Sequence, residues 1–142
     1  MNTLFNLTEN GYEIHPTDFD RVAFAYSKAT GDKFFFDVRK KQTASLRRAT
    51  GLWELGVDVP DYVRYFAPDR LNPKIPFYIF FETTNPNTIR YILRDNIGKL
   101  GRRWSDREHF PDGIIFVNVA TTTVLNHGES ILASRTKQSK LR

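Results

Sequence analysis

The residues of this chain whose types and spacing could perform chemistry are two carboxylates, Asp20 and Asp37, and the cations Arg39 and Lys41. Asp37 interrupts an otherwise apolar run, Phe34-Phe35-Phe36-Asp37-Val38-Arg39. A carboxylate buried there is costly unless it is paired or bound to a cation. In an extended strand every second side chain shares a face, so Arg39 points the way Asp37 points, and Lys41 continues that line if the strand persists. Asp20 stands at the start of the preceding strand, after Pro16-Thr17-Asp18-Phe19. Two carboxylates beside a phosphate oxygen suit magnesium, which takes one or two protein carboxylates and keeps several waters. The same residues also read more plainly, as an ion pair on one strand face and a turn aspartate.

The elements that must position these side chains follow from periodicity and punctuation. Leu4, Phe5 and Leu7 predict a short helix, stopped by Asn10-Gly11. Tyr12 to His15 reads as a brief strand ended by Pro16. Arg21 to Ser27 and Lys33 to Lys40 read as a hairpin around Ala29-Thr30-Gly31-Asp32, with both faces of the Phe-rich strand covered. A hairpin turning there sets Asp37 opposite Phe24 and Asp20 opposite Lys41. Thr43 can cap a helix through Ala44, Leu46 and Arg47, and loops around one short helix near Pro60 fill Gly51 to Pro76. Phe77 to Phe81 is the strongest strand signal. Asn85-Pro86 marks a helix start, followed by the stripe Ile89, Ile92, Leu93, Ile97 and Leu100 up to Gly101. Ile114 to Val119 is a last strand, and a weak helix covers Glu129 to Ser134. The fold class expected is α/β: a mixed central sheet whose three-strand meander is followed by helix, strand, helix and strand. One domain spans residues 1–134, with a basic, frayed tail over 135–142.

This order, with its acidic residues, resembles the PD-(D/E)XK nuclease superfamily, the restriction-endonuclease-like fold. The core of that family is a helix, a three-strand meander, a helix and a further strand, which the chain offers between about residues 3 and 83. Its motif pairs an Asp at the start of the second strand with Asp/Glu-x-Lys on the third. Here Asp20, or Asp18, supplies the first part and Asp37-Val38-Arg39 the second, with Gln42 where a further polar residue often follows. The resemblance implies hydrolysis of phosphodiester bonds in DNA by water activated on Mg2+ or Mn2+. Asp20 and Asp37 would hold the ion, joined by Glu9 from the first helix, with Glu13 in reserve. Arg39 departs from the motif's lysine. A guanidinium stays charged and cannot act as a base, though it can clamp phosphate. Three outcomes stay open: Arg39 serves the phosphate, Lys41 reaches the site from one pleat further, or the fold persists without cleavage and binds nucleic acid or a protein partner. Pairing of two chains into a homodimer is a further expectation of the resemblance.

Twenty-one Lys and Arg against sixteen Asp and Glu give a net charge of +5, a field that favours polyanions through counterion release. Lys40, Arg47 and Arg48 lie just past Asp37, where phosphate contacts would be needed. Arg90, Arg94, Arg102 and Arg103 form a second set, with Arg90 and Arg94 as a repulsive i,i+4 pair on the expected helix. Trp104 beside them reads as a core anchor or as a stacking platform. His15, His109 and His127 have no metal-site spacing, although His15 is nearest the proposed site. No cysteine is present, which removes disulfides, thiolate metal sites and cysteine nucleophiles. Nucleotide-loop, esterase-elbow and zinc-protease motifs do not occur. With no signal-like N-terminus and no apolar run near the roughly 20 residues that span a bilayer, the expected location is cytoplasmic, without a membrane partner.

Overall fold

The computed structural model of the chain describes residues 2–41, 43–66, 71–84, 86–125 and 131. Asn2 caps the first helix, α1 (Thr3–Glu9), by accepting the Phe5 amide on its side chain at 2.8 Å. Three antiparallel strands follow as a meander: β1 (Tyr12–Pro16), β2 (Ala23–Ser27) and β3 (Lys33–Lys41). The β2–β3 turn needs the left-handed backbone of Gly31, at φ 74°. These elements match the sequence reading, but the register does not. Phe24 pairs with Phe35, not with Asp37, and Asp20 has no place opposite Lys41 because β2 starts only at Ala23. The displacement is two residues, so every side chain keeps its expected face.

After β3 the expected helix is absent. Ser45–Arg47 is a strand, β4, joined by a turn closed at Gly51 (φ 70°) to β5 (Leu52–Asp58). Leu55 and Val57 are buried from β5, and that alternation against a partner strand outweighs the local helical propensity around Ala44. A short helix does begin near Pro60: α2 (Val59–Arg64), with proline in its first turn. The next strand, β6 (Phe77–Thr84), is where the apolar run placed it. Asn85 lies outside the described residues. Pro86 sits in a hairpin turn rather than opening a helix, and the chain returns antiparallel as β7 (Asn87–Leu93). The helical stripe was misleading because Tyr91 completes an alternation: Ile89 and Tyr91 enter one core and Ile92 the other. Only Arg94–Leu100 is helix, α3, ended at Gly101. Two unforeseen features follow. β8 (Arg102–Asp106) forms a hairpin with β9 (Phe110–Asn118), which starts four residues before the expected Ile114. A 3-10 turn at Val119–Thr121 and β10 (Thr123–Val124) complete the described elements. Gln42, His127, the 135–142 tail and the weak helix at Glu129 to Ser134 fall outside the described residues, except Ile131, which is buried.

The strands form two sheets. The six-stranded sheet runs β1-β2-β3-β6-β7-β10 and is mixed, with β3 parallel to β6 and its other neighbours antiparallel. The four-stranded sheet, β4-β5-β9-β8, is antiparallel throughout. The chain is therefore α/β as expected, but with more strand and less helix. One core packs Ile79, Phe81 and Ile92 of the large sheet against Leu55, Val57, Ile115 and Val117 of the small one, with Tyr62, Tyr65 and Ile97 from α2 and α3. The other lies on the far face, where Phe34, Phe36, Phe80 and Tyr91 meet Leu7 of α1 and Ile131. Full burial of each such side chain contributes about 1.5–3 kcal/mol. No helix among the described residues is long and apolar enough to cross a membrane.

Candidate functional site

Asp37 faces the space between the two sheets. Its register partner Ile79, and Phe81 opposite Arg39, both belong to the core between the sheets. Only 5 % of Asp37 is exposed. Its carboxylate accepts a hydrogen bond from the Tyr65 hydroxyl, presented from the end of α2. Arg39 continues along the face, its side chain 10 % exposed, and its Nη1 donates to Asp61 Oδ2 at 3.1 Å and to the Tyr65 hydroxyl oxygen at 3.2 Å. Asp61 also draws Arg21 at 3.4 Å and Arg64 at 3.6 Å. Arg21 reaches this point from the β1–β2 turn with φ 67°, a left-handed backbone that a residue with a Cβ adopts only under strain. Asp37, Arg39, Lys40, Lys41 and Arg21 line a cavity of about 360 Å3.

Burial shapes the electrostatics. It pushes the Asp37 carboxyl above its ordinary value, with Tyr65, Arg39 and Arg21 opposing the rise in part. Burial also works against the Arg39 charge, but the contacts with Tyr65 and Asp61 outweigh it and hold the guanidinium above its usual value. Lys41 is pulled down, first by burial and then by the nearby Arg39 charge. The Tyr65 hydroxyl is pushed up by burial and by its bond to Asp37, so it stays a donor. One polar group is unmatched: the buried Nε of Arg39 has no hydrogen-bond partner among the described residues. The cavity thus carries four cationic side chains beside one carboxylate, and guanidinium N–H groups pair favourably with oxyanions.

The other expected residues are placed differently. Asp20 is exposed in the β1–β2 turn, one residue before Arg21, and Asp18 is exposed in the same turn. Glu9 is exposed at the end of α1, a helix that packs through Leu7 on the opposite side of the large sheet from Asp37. Glu9 therefore does not join Asp37. Glu13 is engaged with Lys28 at 3.4 Å and His15 at 3.7 Å on edge strand β1, which also occupies His15. Glu82, an acidic residue near the end of β6 and outside that expected set, accepts the Thr3 amide at 2.8 Å and so serves the start of α1. Among the described residues no three His, Asp or Glu side chains gather as a metal site. Of the carboxylates expected at a metal, Asp37 alone lines the cavity, and Asp20 stands outside its lining in the adjoining turn.

The basic residues divide as well. Arg47 is on β4 and Arg48 in the turn after it, not on a helix. Arg90 is on β7 and Arg94 at the start of α3, so the repulsive helical pair does not exist. Arg94 is spent internally: Nη1 donates to the Tyr65 carbonyl at 2.8 Å, and the guanidinium lies 4.2 Å over the Phe66 ring. That contact fixes the end of α2, and with it the Tyr65 hydroxyl. Arg90 donates to the Val119 carbonyl at 3.4 Å and, with Trp53, Thr83 and Thr88, lines a separate cavity of about 430 Å3. Arg102 pairs with buried Glu54 at 2.7 Å, while Arg103 is exposed on edge strand β8. Trp104 is not a core anchor, for it is 41 % exposed. Sequence reasoning missed Arg21, Asp61 and Tyr65. Asp61 and Tyr65 share a helix face at i,i+4, a signal that was legible, but nothing local pointed that face at Asp37. No family model matches the chain, and no characterised protein or solved structure matches it either.

Proposed function

We propose that the chain is a metal-dependent nuclease that hydrolyses phosphodiester bonds in DNA, with the Asp37 cavity as its phosphate site. The observation that carries the reading is the buried Arg39 guanidinium with an unmatched Nε, two residues from the buried carboxylate Asp37. The order of elements supports it in part: a helix and a three-strand meander lead, after the added β4–β5 hairpin and α2, to a strand parallel to the third, where the restriction-endonuclease-like core has a helix and then a strand. In this reading a phosphate oxygen accepts from Arg39, and Arg21, Lys40 and Lys41 neutralise the neighbouring phosphates. Asp37, with Asp20 from the adjoining turn, would hold Mg2+ or Mn2+. When bound, the ion lowers the pKa of water and offsets charge on the phosphorus. Tyr65 orients the Asp37 carboxylate and favours its charged form against the burial that raises its pKa. Arg39 cannot take a proton, so Lys41, with its lowered pKa, is the residue suited to orient the attacking water.

A gel assay with Mg2+ and Mn2+ on single- and double-stranded DNA and RNA tests this. Cleavage by the parent protein, abolished in Asp37→Ala with binding largely kept, is the expected result. A cleaving Asp37→Ala protein would reject the assignment. One second reading is favoured by Arg39 itself, which stands where the motif has lysine: a non-cleaving domain that binds nucleic acid through the same cavity. No cleavage with any metal, together with steeply salt-dependent binding, would select it.

A further inference from the structure

Lys41 borders two cavities. Besides the Asp37 cavity it lines a second of about 370 Å3 on the outer face of the small sheet, walled by Trp104, Phe110 and Phe116. Trp104 is 41 % and Phe110 40 % exposed, and their ring centroids lie 6.1 Å apart. Phe116 stands 6.3 Å from Trp104 and carries the Arg102 guanidinium 5.0 Å over its ring. Gly56 lets Ile114 and the Phe116 ring lie close over the floor of the cleft: a Cβ there would meet Ile114 Cγ2 at 3.0 Å and the Phe116 ring at 3.1 Å. Ser45, Glu54 and Asp58 also line it.

Resting on the phosphate-site reading above, we infer that this cleft takes unpaired nucleobases, and that the substrate is single-stranded or locally unpaired nucleic acid. Exposed aromatic rings stack on bases of any sequence, and the cation that the two cavities share would hold the intervening phosphate. The acidic groups fit that division. Asp58 would repel phosphates from the cleft but can accept from the amino groups of bases, while Glu54 is held by Arg102. A protein partner fits less well, because the buried centre of such an interface is poor in charged residues, whereas Glu54, Asp58 and Lys41 lie within this cleft. A regular duplex keeps its bases stacked on one another and offers no free faces to the rings.

The test uses the full chain carrying Trp53→Phe, so that Trp104 is the only indole, and Asp37→Asn, with EDTA present so that nothing is cut. A short oligothymidylate is expected to quench Trp104 fluorescence and to bind more tightly than the matching duplex. Trp104→Ala should weaken single-strand binding about tenfold or more, and Trp104→Phe should restore most of it. Unchanged affinity in Trp104→Ala, or equal quenching by duplex, would overturn the inference. Because cleavage plays no part, failure here is separable from failure of the hydrolytic reading. A protein that binds oligothymidylate through Trp104 yet never cuts would uphold the cleft and discard the nuclease.

Discussion

The Tyr65 hydroxyl donates to the Asp37 carboxylate across the gap between α2 and β3, and so joins the helix to the acidic side chain buried on β3. The same oxygen accepts from Arg39 at 3.2 Å. The residue that caps the C-terminus of a six-residue helix thus orients both members of the Asp-x-Arg pair, which do not need to bond to each other.

Tyr65→Phe removes the hydrogen bond that partly restrains the raised Asp37 pKa. The carboxyl then rises further, so the acid limb of any metal-dependent rate should move to higher pH while the alkaline limb stays. A pH–rate profile of parent and variant checks this, and an unmoved acid limb would remove Tyr65 from the site.

Asp37→Asn should stabilise the fold at neutral pH even as it abolishes the proposed cleavage. The folded pKa lies above the ordinary 3.8, so the native state binds the proton more tightly than the unfolded chain does. Stability is therefore fully present below the ordinary value and is lost as pH rises towards the folded one. Asparagine escapes that loss and can still accept from Tyr65. The melting temperature at pH 7 should rise by roughly 2–5 °C, with little difference in acid.

Lys41 has a lowered pKa, so it should carry more free amine at neutral pH than the other lysines. Competitive labelling with limiting acylating reagent, read by mass spectrometry, should modify it early, and oligonucleotide should protect it. The linkage has the opposite sign to that of Asp37: stability contributed here is gained as pH rises from the lowered folded pKa to the ordinary 10.5.

Arg39→Gln should reduce the salt dependence of binding by about one counterion, and weaken affinity uniformly across sequences. A filter-binding series over salt concentration gives the slope.

Glu54→Ala should cost on the order of 2 kcal/mol and lower the melting temperature by several degrees, because it strands Arg102 beside Phe116. Part of Arg102 remains in water, which keeps the loss below that of a fully buried pair.

Local sequence was sufficient wherever burial on both faces or a turn residue left one solution. The Phe-rich β3, the apolar β6, the meander with its Gly31 turn and the buried position of Asp37 were all legible, because covered strands need unbroken apolar runs and a carboxylate within one must be answered. What answered it was not legible. Tyr65 and Asp61 lie more than twenty residues away in sequence, Arg21 arrives through a strained turn, and β4, β5, β7 and β8 exist because a partner strand completes their hydrogen bonding. Propensity and periodicity describe a segment alone, and Ile89, Ile92 and Leu93 satisfy helical and alternating spacing alike. Only the pairing of β7 with β6, which buries both of its faces, decided between them.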